Sequence, residues 1–215
     1  MPAVEMLRRH VDEGHTIRIV THNDADGVAA GGILSQLARR LGAPFKTTCE
    51  KRVDEKMVKG VAEEHPPLVI FSDMGGAYLD VFNEHLSGSD VIVLDHHLPV
   101  ETENSRLIHV NPLLHDLDGA RGISGAGVAY FFAKAVDERN VDLSALGVVG
   151  ALADQQDKGE KKSMLGLNRI IEADAKKIGL LETHVDIIFY GYETRPIARA
   201  CAYTTTPFIP GLSGR

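Results

Sequence analysis

The stretch IRIVTHNDADG, residues 17–27, decides the fold of this 215-residue chain. Its first four residues, Ile17–Val20, are mostly apolar and form a short strand candidate, and a polar segment with two aspartates follows at once. From Gly27 to Leu41, small and apolar residues predict a helix that ends beside two arginines. A strand, an acidic turn and a helix in this order indicate an α/β protein.

The same alternation of strands and helices continues along the chain. Strands are also predicted at Leu68–Phe71 and Val91–Leu94, whose continuous apolar runs suit parallel strands covered on both faces. The elements that complete the pattern are strands at Phe45–Cys49 and Leu107–Val110 and helices at 53–64, 125–139, 144–153 and 163–177. We therefore expect an α/β fold with a doubly wound, mainly parallel sheet, flanking helices and a helical C-terminal portion.

Composition and charge restrict the class of protein. With 44% hydrophobic and 25% charged residues, the chain has the composition of an ordinary globular domain, and its apolar runs are too short to span a membrane. The N-terminus lacks a secretory signal, and the two cysteines, Cys49 and Cys201, argue against a disulfide framework or a cysteine zinc site, which suits a reducing cytoplasm. The net charge of −7 does not attract a phosphate polymer, so nucleic-acid chemistry would need a local site.

Acidic residues follow three of the predicted strands. Asp24 and Asp26 follow the first, Asp73 follows Leu68–Phe71, and the tripeptide 95–97, Asp-His-His, follows Val91–Leu94. Because ligands bind at the carboxyl ends of the strands in open parallel sheets, these segments are expected to meet in one crevice.

A fourth aspartate, Asp154, closes the apolar helix 144–153 and is expected in the same pocket. Four carboxylates held close together resist joint ionisation, and two divalent cations would cancel their charge. His22 and His96 would add neutral nitrogen ligands, which favours Mn²⁺, Co²⁺ or Zn²⁺ over Mg²⁺. A mixed aspartate and histidine set with two metals serves in-line attack at phosphorus, so a dimetal phosphoesterase is expected.

The motifs resemble those of the DHH phosphoesterase superfamily, and most closely those of archaeal RecJ-like single-strand exonucleases, over about residues 17–211. The matching segments are His22–Gly27 (first motif), Ser72–Gly75 (second), Asp95–His97 (the tripeptide that names the family), Ser124–Gly127 (a glycine-containing helix start) and Ala151–Asp154 (fourth). The resemblance implies a DHH phosphoesterase domain at residues 1–190, with its core motifs at 17–157.

The resemblance also implies a role for each candidate residue. The implied ligands of two divalent ions, most simply Mn²⁺ with Mg²⁺ or Co²⁺ as alternatives, are His22, Asp24, Asp26, Asp73, His96 and Asp154. Asp73 would bridge the ions, and the position of His22 varies between branches of the superfamily. Catalysis would rest on Asp73, His96 and His97, with His97 contacting the scissile phosphate.

Other residues allow two interpretations. Ser124, Gly125 and Gly127 form either a helix cap with close packing or a set of N–H groups that bind the substrate phosphate. Lys158 lies either in a solvated loop or in a local phosphate-binding patch. The histidines that match no ligand spacing, and are expected to be structural or surface residues, are His10, His15, His65, His85, His109, His115 and His184.

The resemblance implies a 5′-to-3′ exonuclease that releases nucleoside 5′-monophosphates from single-stranded DNA or RNA, with replication or repair proteins as further partners. The alternatives are a phosphodiesterase for short oligonucleotides or cyclic dinucleotides, an inorganic pyrophosphatase, and a non-catalytic replication scaffold. Relatives carry a Gly-Gly-His motif in a C-terminal domain, whereas Gly31-Gly32 and Gly75-Gly76, the only Gly-Gly pairs here, do not precede histidine. We therefore expect residues 191–215 to be a terminal segment that leads toward a substrate-binding domain absent from this chain.

Overall fold

The computed structural model describes residues 1–102, 104–185 and 189–214. They divide into a larger compact unit, Met1–Glu182, and a smaller one, Thr183–Arg215. The predicted boundary between residues 190 and 191 therefore falls inside the smaller unit. Position 215, at the end of the predicted terminal segment, lies outside the described residues.

The larger unit alternates strands and helices. Its strands are β1 (Ile17–His22), β2 (Phe45–Glu50), β3 (Leu68–Ser72), β4 (Asp90–Leu94) and β5 (Leu107–Val110). Its α-helices are α1 (Pro2–Asp12), α2 (Ala25–Arg40), α3 (Glu55–Ala62), α4 (Leu79–His85), α5 (Gly125–Val136), α6 (Ser144–Ala153) and α7 (Asn168–Lys177). Short 3₁₀ helices cover Pro112–His115, Glu138–Leu143 and Glu160–Lys162.

All five strands are parallel, in the order β2-β1-β3-β4-β5. Ile17 of β1 pairs with Phe45 of β2 on one side and with Leu68 of β3 on the other. The chain thus winds outward from β1 in one direction and then from β3 in the other, which confirms the doubly wound α/β prediction. The carboxyl ends of β1 and β3 lie side by side at the point where the direction changes.

Alternating side chains build a hydrophobic core on each face of the sheet. Ile19 and Ile70 belong to the core that includes residues of α1, α2, α5 and α6, and Phe71 belongs to the core formed with α3 and α4. The Phe71 ring stacks on Phe82 of α4, with ring centroids 4.1 Å apart. Burying one such side chain contributes about 1.5–3 kcal/mol, so helices on both faces hold the strand ends in position.

Some helix bounds differ from the predicted ones, for local reasons. The predicted helix 125–139 ends at Val136, because Asp137 has an extended backbone and its side chain accepts a hydrogen bond from the Arg139 N–H, at 2.9 Å, to start a separate 3₁₀ helix. The predicted helix 163–177 begins only at Asn168, since Gly166 has a positive φ of 52°. The short helices α1 and α4 were not predicted.

The smaller unit contains α8 (Ile197–Tyr203). The Arg195 guanidinium lies 5.0 Å from the ring centroid of Tyr190 and 4.9 Å from that of Tyr203, within the range of a cation–π contact. Thr204 accepts a hydrogen bond from the Tyr190 N–H at 2.7 Å. In neither unit does a helix among the described residues have the length and apolar character needed to cross a bilayer.

Candidate metal centre

A first cluster of metal-ligating side chains lies at the carboxyl end of β1. It contains His22, Asp24 and Asp73, whose ligand atoms lie within 4.8 Å of one another. One oxygen of Asp24 accepts a hydrogen bond from the Gly27 N–H at 2.9 Å, which caps α2, while the other lies 2.8 Å from His22 Nδ1. Burial opposes ionisation of Asp24, but the Gly27 N–H and His22 hold its pKa below the ordinary value. The helix cap uses Oδ1 of Asp24 and leaves Oδ2 of the same carboxylate for a cation.

A second cluster contains Asp26, His96 and Asp154, again with ligand atoms within 4.8 Å of one another. His96 Nε2 lies 3.4 Å from a carboxylate oxygen of Asp154 and 3.8 Å from one of Asp26. The other ring nitrogen, Nδ1, is 2.7 Å from the Gly119 carbonyl oxygen, to which it must donate a proton. Because Nδ1 keeps its proton, Nε2 is the nitrogen that would lose its proton and present a lone pair to a cation at the cluster.

Asp73 connects the two clusters. One of its oxygens lies 3.2 Å from His96 Nε2, and the other lies 3.6 Å from His22 Nδ1. The residue is 3% exposed and has a left-handed backbone with φ of 57°, and its N–H donates to the Leu94 carbonyl at 2.9 Å. Aspartate and asparagine adopt this conformation more readily than most residues. The carboxylate thus has one oxygen toward each cluster, as a bridging ligand requires.

Asp26 is held by the first turn of α5. Its side chain is 0% exposed and accepts hydrogen bonds from the N–H groups of Gly125, at 2.7 Å, and Ala126, at 2.9 Å. Two glycines leave room for these carboxylates: a Cβ on Gly150 would lie 2.1 Å from Asp26 Oδ1, and one on Gly125 would lie 2.4 Å from Asp73 Oδ1. Neither role was predicted, although a glycine inside the apolar helix α6 was a signal of close approach.

Burial and crowding make the clusters retain protons. Burial, together with the nearby carboxylate of Asp26, raises the pKa of Asp73 to about 8, even though His96 donates to it. Burial would lower the pKa of His96, but the Asp73 carboxylate and the Gly119 carbonyl raise it to about 9. Burial and Asp26 also raise the pKa of Asp154. Protons held by Asp73, His96 and Asp154 therefore offset part of the negative charge of the clustered carboxylates.

The donor set fits two divalent cations. Within the described ranges, no lysine or arginine forms an ion pair with Asp24, Asp26, Asp73 or Asp154. Buried carboxylates without a cation are costly, whereas carboxylate oxygens and imidazole nitrogens in two adjoining clusters suit ions such as Mn²⁺. All six predicted ligands lie in these clusters, with Asp73 between them.

The remaining residues of the tripeptide form a pair beside the clusters. Asp95 is buried and accepts hydrogen bonds from the Gly76 N–H at 2.7 Å and the His96 N–H at 2.8 Å, and the same carboxylate lies 2.8 Å from His97 Nδ1. Although burial opposes it, His97 lowers the pKa of Asp95 to about 2, and Asp95 in turn raises the pKa of His97. The His97 side chain is 59% exposed, so its cationic ring can meet an anionic substrate.

The other predicted substrate-binding residues lie at the start of α5 and in the loop after α6. Ser124 is buried and caps α5, since its hydroxyl accepts a hydrogen bond from the Gly127 N–H at 3.2 Å. The Gly125 N–H donates to Asp26, so this helix start serves capping and ligand positioning. Contact of Ser124, Gly125 and Gly127 with a substrate phosphate stays a prediction. Lys158 is exposed in the loop after α6, and no hydrogen bond or ion pair of the described residues joins it to the clusters.

Comparison with known proteins agrees with this fold. Residues 16–158 match the model of the DHH family, N-terminal domain, and the chain therefore belongs to the DHH family. Within the family it is RecJ-like. An uncharacterized protein of Methanocaldococcus jannaschii is 34% identical over 203 residues, covering 92% of this chain and 45% of that protein. The single-stranded-DNA-specific exonuclease RecJ of Thermus thermophilus is 32% identical over 165 residues, covering 71% of this chain and 24% of the enzyme.

Solved structures of RecJ proteins also resemble this chain. The crystal structure of an exonuclease RecJ bound to manganese matches with a TM-score of 0.66 and 29% identity, over 80% of this chain and 46% of that one. RecJ from Thermus thermophilus in complex with Mn²⁺ matches with a TM-score of 0.65 and 26% identity, over 83% of this chain and 29% of that one. This chain thus spans less than half the length of these relatives.

Proposed function

We propose that this chain is the catalytic part of a metal-dependent phosphodiesterase that cuts single-stranded nucleic acid from its 5′ end and releases nucleoside 5′-monophosphates. The observation that supports it most is the bridging position of Asp73, which is 3.2 Å from His96 of one cluster and 3.6 Å from His22 of the other. Single metal sites are common in proteins, whereas two ligand clusters that share a carboxylate are typical of enzymes that transfer phosphoryl groups.

The proposed ligands of one ion are His22, Asp24 and Asp73. Those of the other are Asp26, Asp73, His96 and Asp154. When bound, the two ions would neutralise the phosphate and lower the pKa of an attacking water. Both ions are proposed to be Mn²⁺, since manganese is present in the RecJ structures above and imidazole is a suitable ligand for manganese.

The chain's own residues then have distinct tasks. Asp26 keeps its position through two backbone hydrogen bonds, so its carboxylate is oriented before any ion arrives. Asp95 orients the His97 ring through Nδ1, which leaves Nε2 to donate a proton to a phosphate oxygen. The Asp95 carboxylate raises the pKa of His97 and so favours the protonated ring that this role requires. His97 is therefore proposed to contact the scissile phosphate.

The substrate proposal comes from the relatives. RecJ proteins of Thermus thermophilus and Escherichia coli are named single-stranded-DNA-specific exonucleases, and single-stranded DNA is therefore the first substrate to test, with RNA and short oligonucleotides next. A scaffold without catalysis is disfavoured, because all six proposed ligands are present and clustered. Replication or repair proteins remain proposed partners of such an enzyme.

The test is cleavage of single-stranded DNA, single-stranded RNA, duplex DNA and dinucleotides with Mn²⁺, each labelled at the 5′ or at the 3′ end. Release of labelled mononucleotide from the 5′ end of single strands supports the proposal. Preference for dinucleotides would instead favour the short-oligonucleotide alternative, and absence of turnover on every substrate would contradict an enzyme.

Asp73→Asn is the decisive variant, since asparagine accepts the left-handed backbone that alanine would strain. Its loss of turnover should exceed the about 10–100-fold typical of a lost supporting residue. Asp116→Asn is the matched control, because Asp116 is an exposed aspartate with nearly the same φ, 56°, at the end of a 3₁₀ helix. Equal activities of the two variants would remove Asp73 from the mechanism.

A further inference from the structure

A third group of metal-ligating side chains lies at the opposite edge of the sheet. It consists of His10, Glu13 and His15, where α1 ends and β1 begins. Because all strands are parallel, the residues that precede β1 lie at the edge away from the carboxyl ends, where the proposed catalytic ligands are. The group is therefore separate from the site that the proposed function uses.

The backbone brings the two imidazoles together. Gly14 has a φ of 70°, its N–H donates to the Val11 carbonyl at 3.0 Å, and the His15 N–H donates to the His10 carbonyl at 2.9 Å. This pair of bonds is the Schellman motif, which sets the residue after the glycine beside the third-last residue of the helix. The side chains in those two positions are usually apolar, but here they are histidines, with the two Nδ1 atoms 2.9 Å apart.

Asp90 sets the tautomer of His10. The His10 ring is 4% exposed, and its Nε2 lies 2.9 Å from Asp90 Oδ2, so Nε2 carries a proton and Nδ1 has a lone pair. Arg9 and Arg106 also bond to Asp90, which keeps that carboxylate ionised. A carboxylate behind a histidine in this way is the usual support of a metal-binding imidazole.

We propose that His10 and His15 bind a divalent transition ion such as Zn²⁺ through their Nδ1 atoms, with Glu13 as a third ligand. Glu13 Oε2 is 3.2 Å from His15 Nδ1. Two nitrogens on a tetrahedral zinc lie about 3.3 Å apart at ordinary bond lengths, so the rings need to separate by only a few tenths of an ångström. Imidazole nitrogens with one carboxylate select Zn²⁺, Cu²⁺ or Ni²⁺ over Mg²⁺. The ion would fasten the end of α1 to the start of β1.

The first test counts ions in a chain whose catalytic clusters are disabled. Asp73→Asn together with Asp154→Asn removes a carboxylate from each cluster, and equilibrium dialysis against Zn²⁺ should then leave one ion per chain. Adding His15→Gln should remove that ion, whereas adding His115→Gln, at an exposed histidine elsewhere, should not. An ion retained with His15→Gln, or no ion in the parent variant, overturns the proposal. If the parent variant does not fold, the same comparison in the unmodified chain counts three ions against two.

The second test identifies the ligands. Electron paramagnetic resonance of one equivalent of Cu²⁺ in the same parent variant should show hyperfine coupling to two nitrogens, and His15→Gln should reduce it to one or abolish binding. An unchanged spectrum would mean that the ion is elsewhere. In the otherwise unmodified chain, His15→Gln should leave Mn²⁺-dependent nuclease activity as it was, so this site and the proposed catalytic function can fail independently.

Discussion

Gly150→Ala is expected to damage the second cluster from inside a helix. A Cβ at this position would lie 2.1 Å from Asp26 Oδ1 and 2.4 Å from the Ala126 Cβ, both far inside van der Waals contact. Neither neighbour can retreat cheaply, since Asp26 is bonded to two backbone N–H groups and Ala126 is fixed in α5. The substitution must therefore displace α6 or break the hydrogen bonds of Asp26.

The magnitude follows from two contributions. Alanine in place of a helical glycine favours folding by about 1 kcal/mol. Each lost hydrogen bond to a charged carboxylate costs about 1.5–3 kcal/mol. With one bond lost, the free energy of unfolding should fall by about 0.5–2 kcal/mol, and with both lost by about 2–5 kcal/mol. The affinity for the ion of the second cluster should fall as well, by about 10–100-fold.

Gly60→Ala is the matched control, because Gly60 is also inside a helix, α3, and a Cβ there would meet nothing within 4 Å. It should stabilise the chain by up to about 1 kcal/mol and leave metal binding intact. Urea denaturation and Mn²⁺ titration of both variants measure the two effects. If Gly150→Ala were as stable as Gly60→Ala and bound Mn²⁺ normally, the described packing of Asp26 against α6 would be refuted.

Three more outcomes are expected. Saturating Mn²⁺ should raise the thermal midpoint of the chain, because ions bind only the folded clusters, and Asp73→Asn should reduce that shift in a calorimetric scan; an equal shift would exclude Asp73 as a ligand. Asp174→Asn should destabilise the chain by about 1 kcal/mol at pH 7. Although burial opposes it, Lys134 and Tyr130 hold the pKa of Asp174 below 3.8. The stability that ionised Asp174 contributes is therefore present above pH 3.8 and is lost as the pH falls below that value. Urea denaturation should show a smaller difference in stability between Asp174→Asn and wild type at about pH 3 than at about pH 7. Ser124→Ala should cost about 1 kcal/mol through loss of the α5 cap, and a change below about 0.3 kcal/mol in the same assay would contradict that role.

The sheet was predictable because its signal is local. The apolar runs that become β3 and β4 are buried on both faces, and the physics of parallel strands requires such runs. Helix α4 was missed because it is only seven residues long and its stability comes from tertiary packing, as with Phe82 against Phe71. Helix α1, in contrast, does carry a signal, since Ala3, Met6 and Leu7 recur with helical spacing on its buried face, and this signal was overlooked.

The candidate ligands were predictable by type and by their place after strands, and the support around them was not. The Gly119 carbonyl that sets the tautomer of His96 is a backbone atom without a sequence signal. The left-handed backbone of Asp73 likewise cannot be predicted from the sequence. The contact between His10 and His15 was not predicted, because it depends on a single glycine turn rather than on helical spacing.

The second cluster takes Asp26 from the beginning of the chain and Asp154 from beyond α6. During synthesis on the ribosome, the emerging polypeptide cannot complete this cluster until nearly all of the larger unit has left the exit tunnel. Loading of an ion at this cluster would therefore come late in the biogenesis of the protein, so the proposed chemistry could not begin on a partly synthesised chain.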